Sequence, residues 1–371
     1  MTAPICAAKG STVMRRHGKW PAAGAVAVVL LSLQGCLGGG DAQWKDPDKG
    51  QAEVLLRTAD ENGGSSGAAW LAFDGDPDGL TVGPDGKVYG MSASLAVIED
   101  DHRARTVLDG EVHGVGGLVV LSPNSFVVGA RSQLLNVRTD GKRRTVLAGA
   151  PGGPRKLGQP APATASAQDV HLSDQPVEPF GKRPDGTLLF TDGDVIWQLK
   201  EGRLTRLYQV PADRGDAAGR AIARGSAVDR SGTVYLRTSA EGAQGRLADV
   251  VTVHQDGSVA KLAVPEQADG VKGNLSDLRP TWMAGDDGNG VYVRAHDDTA
   301  QYVLHLTAQK AEVVAKQASG GSRGDSDAGC DEGHLVDATK LPCPMPEALT
   351  YSSGALVMAG NAPFVLKIAT R

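Results

Sequence analysis

The sequence predicts an all-β protein, a six-bladed β-propeller of four-stranded antiparallel blades, from its repeated hairpins, the strands that follow them and its abundant glycine. Each hairpin combines a short strand, a turn rich in Gly, Asp, Asn or Ser, and a second apolar strand. The chain has 371 residues, of which 49 are glycine. The six hairpins span residues 79–91, 117–130, 179–191, 225–238, 281–294 and 347–359.

Further strands follow each hairpin and complete the blade. Residues 195–200 read "VIWQLK" and residues 203–210 read "RLTRLYQV", which predicts a third and a fourth strand joined by a tight turn. The same order returns after most of the other hairpins. Four antiparallel strands that recur about every 40 residues or more are typical of propeller blades.

The beginning of the folded part is expected to close the ring. Residues 52–58 read "AEVLLRT", which matches the outer-strand pattern "AEVVAK" at 311–316. The last hairpin is followed by a third strand at 363–369, and no fourth strand comes after it. We therefore expect residues 52–58 to be the fourth strand of the last blade, which covers two exposed sheet edges. The propeller domain is then 51–371.

The segment before the propeller has the pattern of an export signal. Basic residues precede an apolar run at 21–33, which is too short for a stable membrane span. We expect residues 1–35 to be a signal peptide that is removed. Met14 begins a more typical signal than Met1 does, so residues 1–13 are an alternative upstream extension.

The end of this signal resembles the bacterial lipobox, in which a cysteine is acylated and becomes the new N-terminus. The motif is "LQGC", with Cys36 as its cysteine. We expect residues 36–50 to be the lipidated cysteine and a flexible tether that anchors the protein on the extracytoplasmic face of the cell membrane. The alternative is an ordinary signal peptide in which Cys36 is incidental.

The charge of the chain argues against nucleic acid as a partner. The formal net charge is −5, and the predicted removal of residues 1–35 takes away four basic and no acidic residues, which leaves −9. Nucleic-acid binding favours clustered Lys and Arg.

Two cysteines remain in the propeller domain, Cys330 and Cys343. In an oxidising compartment a pair at this spacing predicts a disulfide that closes a loop. The alternative is a metal site that adds His334, although two thiolates and one imidazole lack a fourth ligand nearby. The other histidines show no spacing typical of a metal site.

Loops on one face of the propeller supply the candidate ligand-binding rim. Loops between second and third strands, and loops between blades, open on the same face, and functional residues concentrate on such loops. Carboxylates gathered there would suit Ca²⁺ or a basic or polyhydroxylated ligand, with arginines as counter-charges. The alternative is that these residues form solvated turns. The candidate rim comprises Arg131, Asp192, Asp194, Arg237, Glu241, Asp297 and Asp298.

One blade resembles a known family. Residues 145–199 resemble the NHL repeat of bacterial extracytoplasmic propellers; the part that carries the resemblance best, 145–172, reads "TVLAGAPGGPRKLGQPAPATASAQDVHL". Together with the lipobox-like motif, the chain resembles a six-bladed propeller lipoprotein of actinobacterial type. The triplet 189–191 departs from the usual Tyr-x-Ala. The resemblance implies a binding platform or sensor, whereas related six-bladed propellers include metal-dependent hydrolases, lactonases and lyases.

Two functions follow from these observations. The favoured one is a lipid-anchored module that binds a protein or a small polar ligand on the channel face, without catalysis and without a cofactor other than Ca²⁺. The alternative is a metal-dependent hydrolase, lactonase or lyase with its site in the central channel. The innermost strands are expected to present mainly apolar side chains to the channel, which offers few metal ligands: Leu80, Val82, Leu118, Val120, Ala227, Met283 and Leu349.

Overall fold

In the computed structural model, the regular secondary structure of the described residues is almost entirely β-strand. The described residues are 46–57, 69–73, 75, 77–100, 102–109, 116–139, 144–211, 220–222, 225–240, 245–318, 330 and 333–371. The predicted signal peptide, Cys36 and most of the tether lie outside this part. Among the described residues no helix is long and apolar enough to cross a membrane. The described helices are short 3-10 segments: Trp70–Ala72, Leu247–Asp249, Leu275–Asp277 and Ala338–Lys340.

The first strand, β1 (Gln51–Arg57), belongs to the last blade, and the first three blades follow it along the chain. Blade 1 contains β2 (Gly79–Val82), β3 (Val88–Met91), β4 (Ser94–Ile98) and β5 (Ala104–Asp109). Blade 2 contains β6 (Gly116–Ser122), β7 (Ser125–Ala130), β8 (Gln133–Arg138) and β9 (Arg144–Ala148). Blade 3 contains β10 (Thr164–Ser166), β11 (Val177–Lys182), β12 (Leu188–Asp192), β13 (Val195–Lys200) and β14 (Arg203–Gln209).

The remaining three blades complete the ring. Blade 4 contains β16 (Ala227–Val228), β17 (Val234–Leu236), β19 (Val251–Val253) and β20 (Val259–Lys261), beside a separate pair, β15 (Arg220–Ile222) and β18 (Thr238–Ala240). Blade 5 contains β21 (Arg279–Gly285), β22 (Val291–His296), β23 (Ala300–Leu306) and β24 (Ala311–Ala318). Blade 6 contains β26 (Ala348–Ser352), β27 (Ala355–Ala359), β28 (Phe364–Ala369), β1 and β25 (Val336–Asp337).

The chain is therefore a six-bladed β-propeller, as the hairpin pattern predicts. Neighbouring strands within each blade are antiparallel, and the innermost strand of each blade contacts the innermost strands of the blades on either side. Blade 6 contacts blade 1 through β26 and β2, which closes the circle. Two blades carry a short fifth strand that the sequence pattern did not predict, β10 in blade 3 and β25 in blade 6.

Strand β1 closes the ring as the fourth strand of blade 6, between β28 and the short β25. It pairs antiparallel with β28, with Val54 opposite Leu366 and Arg57 opposite Phe364. Glu53 is buried and lies 3.1 Å from the Nζ of Lys367, so an ion pair joins the two strands. The N-terminal strand thus covers the edge of β28 that would otherwise be exposed to pairing with another chain.

The hydrophobic core lies between successive blades, where the side chains of facing sheets interdigitate. Between blades 2 and 3, Trp197 and Phe190 pack with Val127 and Leu134, and all four side chains are fully buried. Large aromatic side chains of this kind stabilise a core strongly through the apolar area they bury.

A disulfide joins Cys330 to Cys343, as the sequence predicts. The two sulfur atoms are bonded, and both cysteines pack in the apolar cluster between blades 5 and 6. His334 is exposed, and thiols consumed in a disulfide cannot bind a metal, so the alternative metal site is not formed. The bond closes the long inter-blade loop that carries β25.

The two faces of the ring carry different connections. We call the face with the turns between first and second strands the turn face; these turns include residues 83–87, 183–187 and 286–290. We call the opposite face, which carries the loops between second and third strands and the loops between blades, the loop face. The N-terminal end of β1 lies on the turn face, because Gly50 donates to Ala369 O and Thr370 donates to Gly354 O in the turn of blade 6.

Candidate functional site: the central channel

A cavity of about 240 Å³ runs along the axis of the ring and is lined by the innermost strand of every blade. Glycines recur along this lining because the strands approach each other closely at the axis. A Cβ on Gly79 would lie 2.5 Å from the Cβ of Leu118, and a Cβ on Gly285 would meet the backbone of Val228. Only glycine fits such contacts.

The side chains that face the channel are more polar than the sequence indicated. Leu80 and Leu349 are buried between blades. Thr81 and Thr350, the next residues along the same two strands, are half-exposed and line the cavity, as does Trp282 of β21. Successive side chains in a strand point to opposite faces, so one face of the inner strand packs in the core and the other faces the channel. Five of the seven expected residues still contribute to the lining, and the threonines add hydroxyl groups that the sequence reading omitted: Leu80, Leu118, Ala227, Met283 and Leu349.

Ionisable and aromatic groups add to the lining at both ends of the cavity. Glu178 stands at the loop-face end of β11 and Lys182 at its turn-face end. Phe180 lies between them on the same strand. A carboxylate and an amine thus stand at the two ends of this strand, whereas Phe180 also packs against the apolar cluster between blades 3 and 4.

Tyr351 ends a stack of rings at the turn-face end of the channel. Its ring stacks on Tyr292 with 4.8 Å between centroids, and Tyr292 stacks on His305 with 4.4 Å between centroids. The Tyr351 hydroxyl donates to Asp287 Oδ2 at 3.2 Å. Burial is the main cause that raises the pKa of Tyr351 to about 12, and the nearby Tyr292 and Asp287 act in the same direction. This hydroxyl therefore stays protonated at neutral pH.

The histidine of this stack is held by a carboxylate. His305 Nε2 lies 2.9 Å from Asp286 Oδ2, and Asp286 also accepts the backbone N–H groups of Gly288 and Gly290. Burial alone would raise the pKa of Asp286, but hydrogen bonds from His305 and from the two N–H groups outweigh it, so the pKa lies below its usual value. Asp286 is therefore ionised over the neutral range.

Asp192 and Asp194 of the candidate rim come together, but in the interior of the protein. Their relative exposures are 0% and 1%. Arg155, from the loop between blades 2 and 3, donates Nη2 to Asp194 Oδ1 at 2.6 Å and to Asp192 Oδ2 at 3.4 Å. The expectation that these carboxylates lie on an open rim is corrected: they bind an arginine that fastens the loop to blade 3.

Further donors satisfy the remaining carboxylate oxygens of this cluster, which we call the arginine hub. Asp192 accepts the N–H of Ser173 at 2.6 Å and the indole N–H of Trp197 at 3.3 Å. Asp194 accepts the N–H of Gly158 at 3.1 Å and the side-chain amide of Gln209 at 3.0 Å. The hub therefore ties several segments of the long loop to the strands beneath it.

The other rim residues occupy separate positions. Arg131 is exposed, and its backbone bridges to Pro176. Arg237 donates to the carbonyl of Pro280, and burial lowers its pKa, against an opposing effect of Glu347.

The acidic rim residues of blade 5 form a turn. Asp297 is half-buried and accepts the N–H of Thr299 at 2.6 Å and that of Ala300 at 2.7 Å. Asp298 is exposed, 3.3 Å from Arg279. Glu241 lies outside the described residues. Within the described ranges, no group of three or more His, Cys, Asp or Glu side chains is placed to hold a metal ion.

Comparison with known proteins supports the fold. No protein-family model matches the chain, and no curated protein matches it. A protein of unknown function from Bacteroides thetaiotaomicron has a similar structure, with a TM-score of 0.56 and 13% identity over 86% of this chain and 75% of that one.

Two further solved structures are more distant. Regucalcin from Agrobacterium tumefaciens, described as a calcium-binding protein, has a TM-score of 0.42 and 12% identity over 80% of this chain and 90% of its own. A putative glucose dehydrogenase from Thermus thermophilus has a TM-score of 0.43 and 15% identity over 85% and 98%. Only the first of these three structures is similar enough to support the fold class, and the function is left to the geometry of the site.

Proposed function

We propose that this protein is a binding module, an NHL-like propeller anchored by lipid outside the cytoplasmic membrane, which holds a small polar ligand in its central channel. The observation that carries the proposal is the channel wall, to which all six blades contribute. The volume of about 240 Å³ suits a small molecule better than a folded partner. Hydroxyl, carboxylate, amine and aromatic groups then fix the orientation of the ligand.

A blocking substitution tests where the ligand binds. The processed protein is screened against a panel of amino acids, monosaccharides and sugar acids by the rise in melting temperature that a ligand causes when it binds only the folded state. Thr350→Phe fills the channel from β26, and Thr145→Phe places the same ring on an exposed position of β9. We expect a stabilising ligand to lose its effect in Thr350→Phe and to keep it in Thr145→Phe.

Two results would contradict channel binding. One is a ligand effect that survives in Thr350→Phe, and the other is a complete panel without any stabilising compound. Stoichiometric divalent metal that stays bound through purification would favour the alternative function, a metal-dependent hydrolase, lactonase or lyase.

The anchor is tested separately through Cys36. We expect Cys36→Ser to abolish acylation and to leave the signal uncleaved or shift its cleavage. The processed protein should leave the membrane fraction in a high-salt wash, which also removes protein held by charge alone. If a processed variant stays with membranes after that wash, the protein is not anchored through Cys36.

A further inference from the structure

A basic groove of about 710 Å³ lies on the turn face, where blades 3 and 4 meet. It is formed by the turn between the first two strands of blade 3, the turn between its last two strands, and the first turn of blade 4. Two acidic side chains, Asp185 and Glu201, also line it. Its four basic residues are Arg183, Lys200, Arg203 and Arg230.

Among the described residues, the two exposed arginines of the groove have no carboxylate partner. Lys200 pairs with Asp185 at 2.8 Å. In contrast, Arg203 and Arg230 are exposed and form no ion pair with any residue that the structure describes, and Arg203 donates only to the hydroxyl of Thr164, at 3.2 Å. The groove thus carries a local positive charge on a chain whose formal net charge is −5.

A buried arginine at the base of the groove adds a second observation. Arg183 has a relative exposure of 6%, and its Nη2 donates to Gly232 O at 3.0 Å. Its Nε is buried and has no hydrogen-bond partner among the described residues. Burial lowers the pKa of Arg183, against the opposing effects of Asp185 and Asp229. An anion in the groove would offset this cost of burial.

The chemistry of the groove fits phosphate. Guanidinium groups present a planar fork of N–H donors that matches two phosphate oxygens, and they are less strongly hydrated than ammonium groups. Three of the four cations are arginines, so several phosphate groups can be contacted side by side.

The position of the groove bears on which phosphate-containing molecule it would bind. The chain enters the ring at Gln51 on the turn face, the same face as the groove. Blade 6, which holds this entry point, lies across the ring of six blades from blade 3. The 14 residues between Cys36 and Gln51 span at most about 50 Å when fully extended. A membrane-bound Cys36 therefore keeps the turn face close to the lipid surface.

We propose that the basic groove binds the phosphate headgroups of anionic phospholipids and docks the turn face on the membrane. The proposal rests on the lipid anchor proposed above, which brings this face near the membrane. The anchor at blade 6 and the groove at blades 3 and 4 then form two contacts on opposite sides of the ring. Electrostatic attraction acts only within a Debye length of about 8 Å, so the tether supplies the proximity that the charges need.

Vesicle binding without acyl chains tests the groove independently of the anchor. The processed chain from residue 36 onward, which contains the whole ring, carries Cys36→Ser. Co-sedimentation compares vesicles of phosphatidylcholine alone with vesicles that also contain phosphatidylglycerol. We expect binding to the anionic vesicles only, weakened by high salt.

Charge reversal at the groove is compared with the same change on the loop face. Arg203→Glu combined with Arg230→Glu should reduce the partition coefficient on anionic vesicles about tenfold or more, since each cation near the surface contributes to attraction. The matched control, Arg131→Glu combined with Arg246→Glu, makes the same charge change at exposed residues of the loop face. It should keep most of the binding.

Three outcomes of these vesicle experiments would contradict lipid docking. Equal losses in the two double variants would show that net charge, not the groove, governs binding. Absence of binding to anionic vesicles would refute the proposal even if Cys36 is acylated. Inorganic phosphate that stabilises the protein and depends on Arg203 and Arg230, without vesicle binding, would assign the groove to a soluble phosphate compound instead.

Discussion

Removal of Arg155 is expected to destabilise the propeller more than removal of any exposed arginine. The Arg155 side chain is 7% exposed, and Asp192 and Asp194 beside it are 0% and 1% exposed. Arg155→Met keeps most of the apolar length of the side chain but leaves two buried carboxylates without a cation. Breaking a buried ion pair in this way costs about 3–5 kcal/mol.

The lower end of that range fits the hub, because each carboxylate keeps other donors. Asp192 retains Ser173 N and Trp197 Nε1, and Asp194 retains Gly158 N. We therefore expect a loss of about 3 kcal/mol. A loss of this size lowers the melting temperature of a large domain by about 5 °C or more.

Thermal unfolding followed by circular dichroism measures this effect, with Arg203→Met as the matched control. Arg203 is an exposed arginine on the same blade, and its replacement should change stability by less than about 0.5 kcal/mol. The triple variant with Arg155→Met, Asp192→Asn and Asp194→Asn removes both unpaired charges and should recover part of the loss. If Arg155→Met melts at the same temperature as Arg203→Met, the hub does not stabilise the fold as argued.

Three other properties can be predicted from the same structure. Replacement of both Cys330 and Cys343 by Ala should cost about 3 kcal/mol, since the disulfide closes a loop with a sequence separation of 13, and should remove the effect of reductants on the melting temperature. Stability should fall as the pH drops below about 4, because the pKa of Asp286 is lower in the folded protein than in the unfolded chain. Protonation of Asp286 then removes its contribution to the free energy of unfolding, and Asp286→Asn should flatten this part of the pH profile. Deletion of Gln51–Arg57 should remove several kcal/mol or prevent folding, whereas deletion of residues 37–45 should leave the melting temperature unchanged; equal effects would contradict closure by β1.

The architecture could be predicted because its signals are local. A hairpin needs only two short β-rich segments and a turn, and the six copies in this chain repeat that pattern in order. The closing strand was predictable by elimination, since the last blade otherwise lacks an outer strand. The fifth strands β10 and β25 were missed because they are three and two residues long and lie in irregular loops.

The site was less predictable because its contacts connect distant parts of the sequence. "TDGD" at 191–194 has the composition of a solvated turn, and nothing near it indicates burial. Its partner Arg155 lies 37 residues before Asp192, in the long loop between blades 2 and 3. The polar part of the channel lining was missed for another reason: alternation shows that Leu80 and Thr81 face opposite ways, but not which of them faces the core.

The proposed ligand binding in the channel and the proposed docking on the membrane are compatible, because the channel also opens on the loop face and the groove lies on the turn face. A propeller held by its turn face presents the loop face to the exterior, so a ligand would reach the channel past Glu178 at the loop-face end. The arginine hub fixes the longest described inter-blade loop on that same face. A rigid loop beside the opening reduces the conformational entropy that a ligand must overcome to bind. Loss of Arg155 should therefore weaken binding in the channel as well as stability, although the residue touches neither the cavity nor the groove.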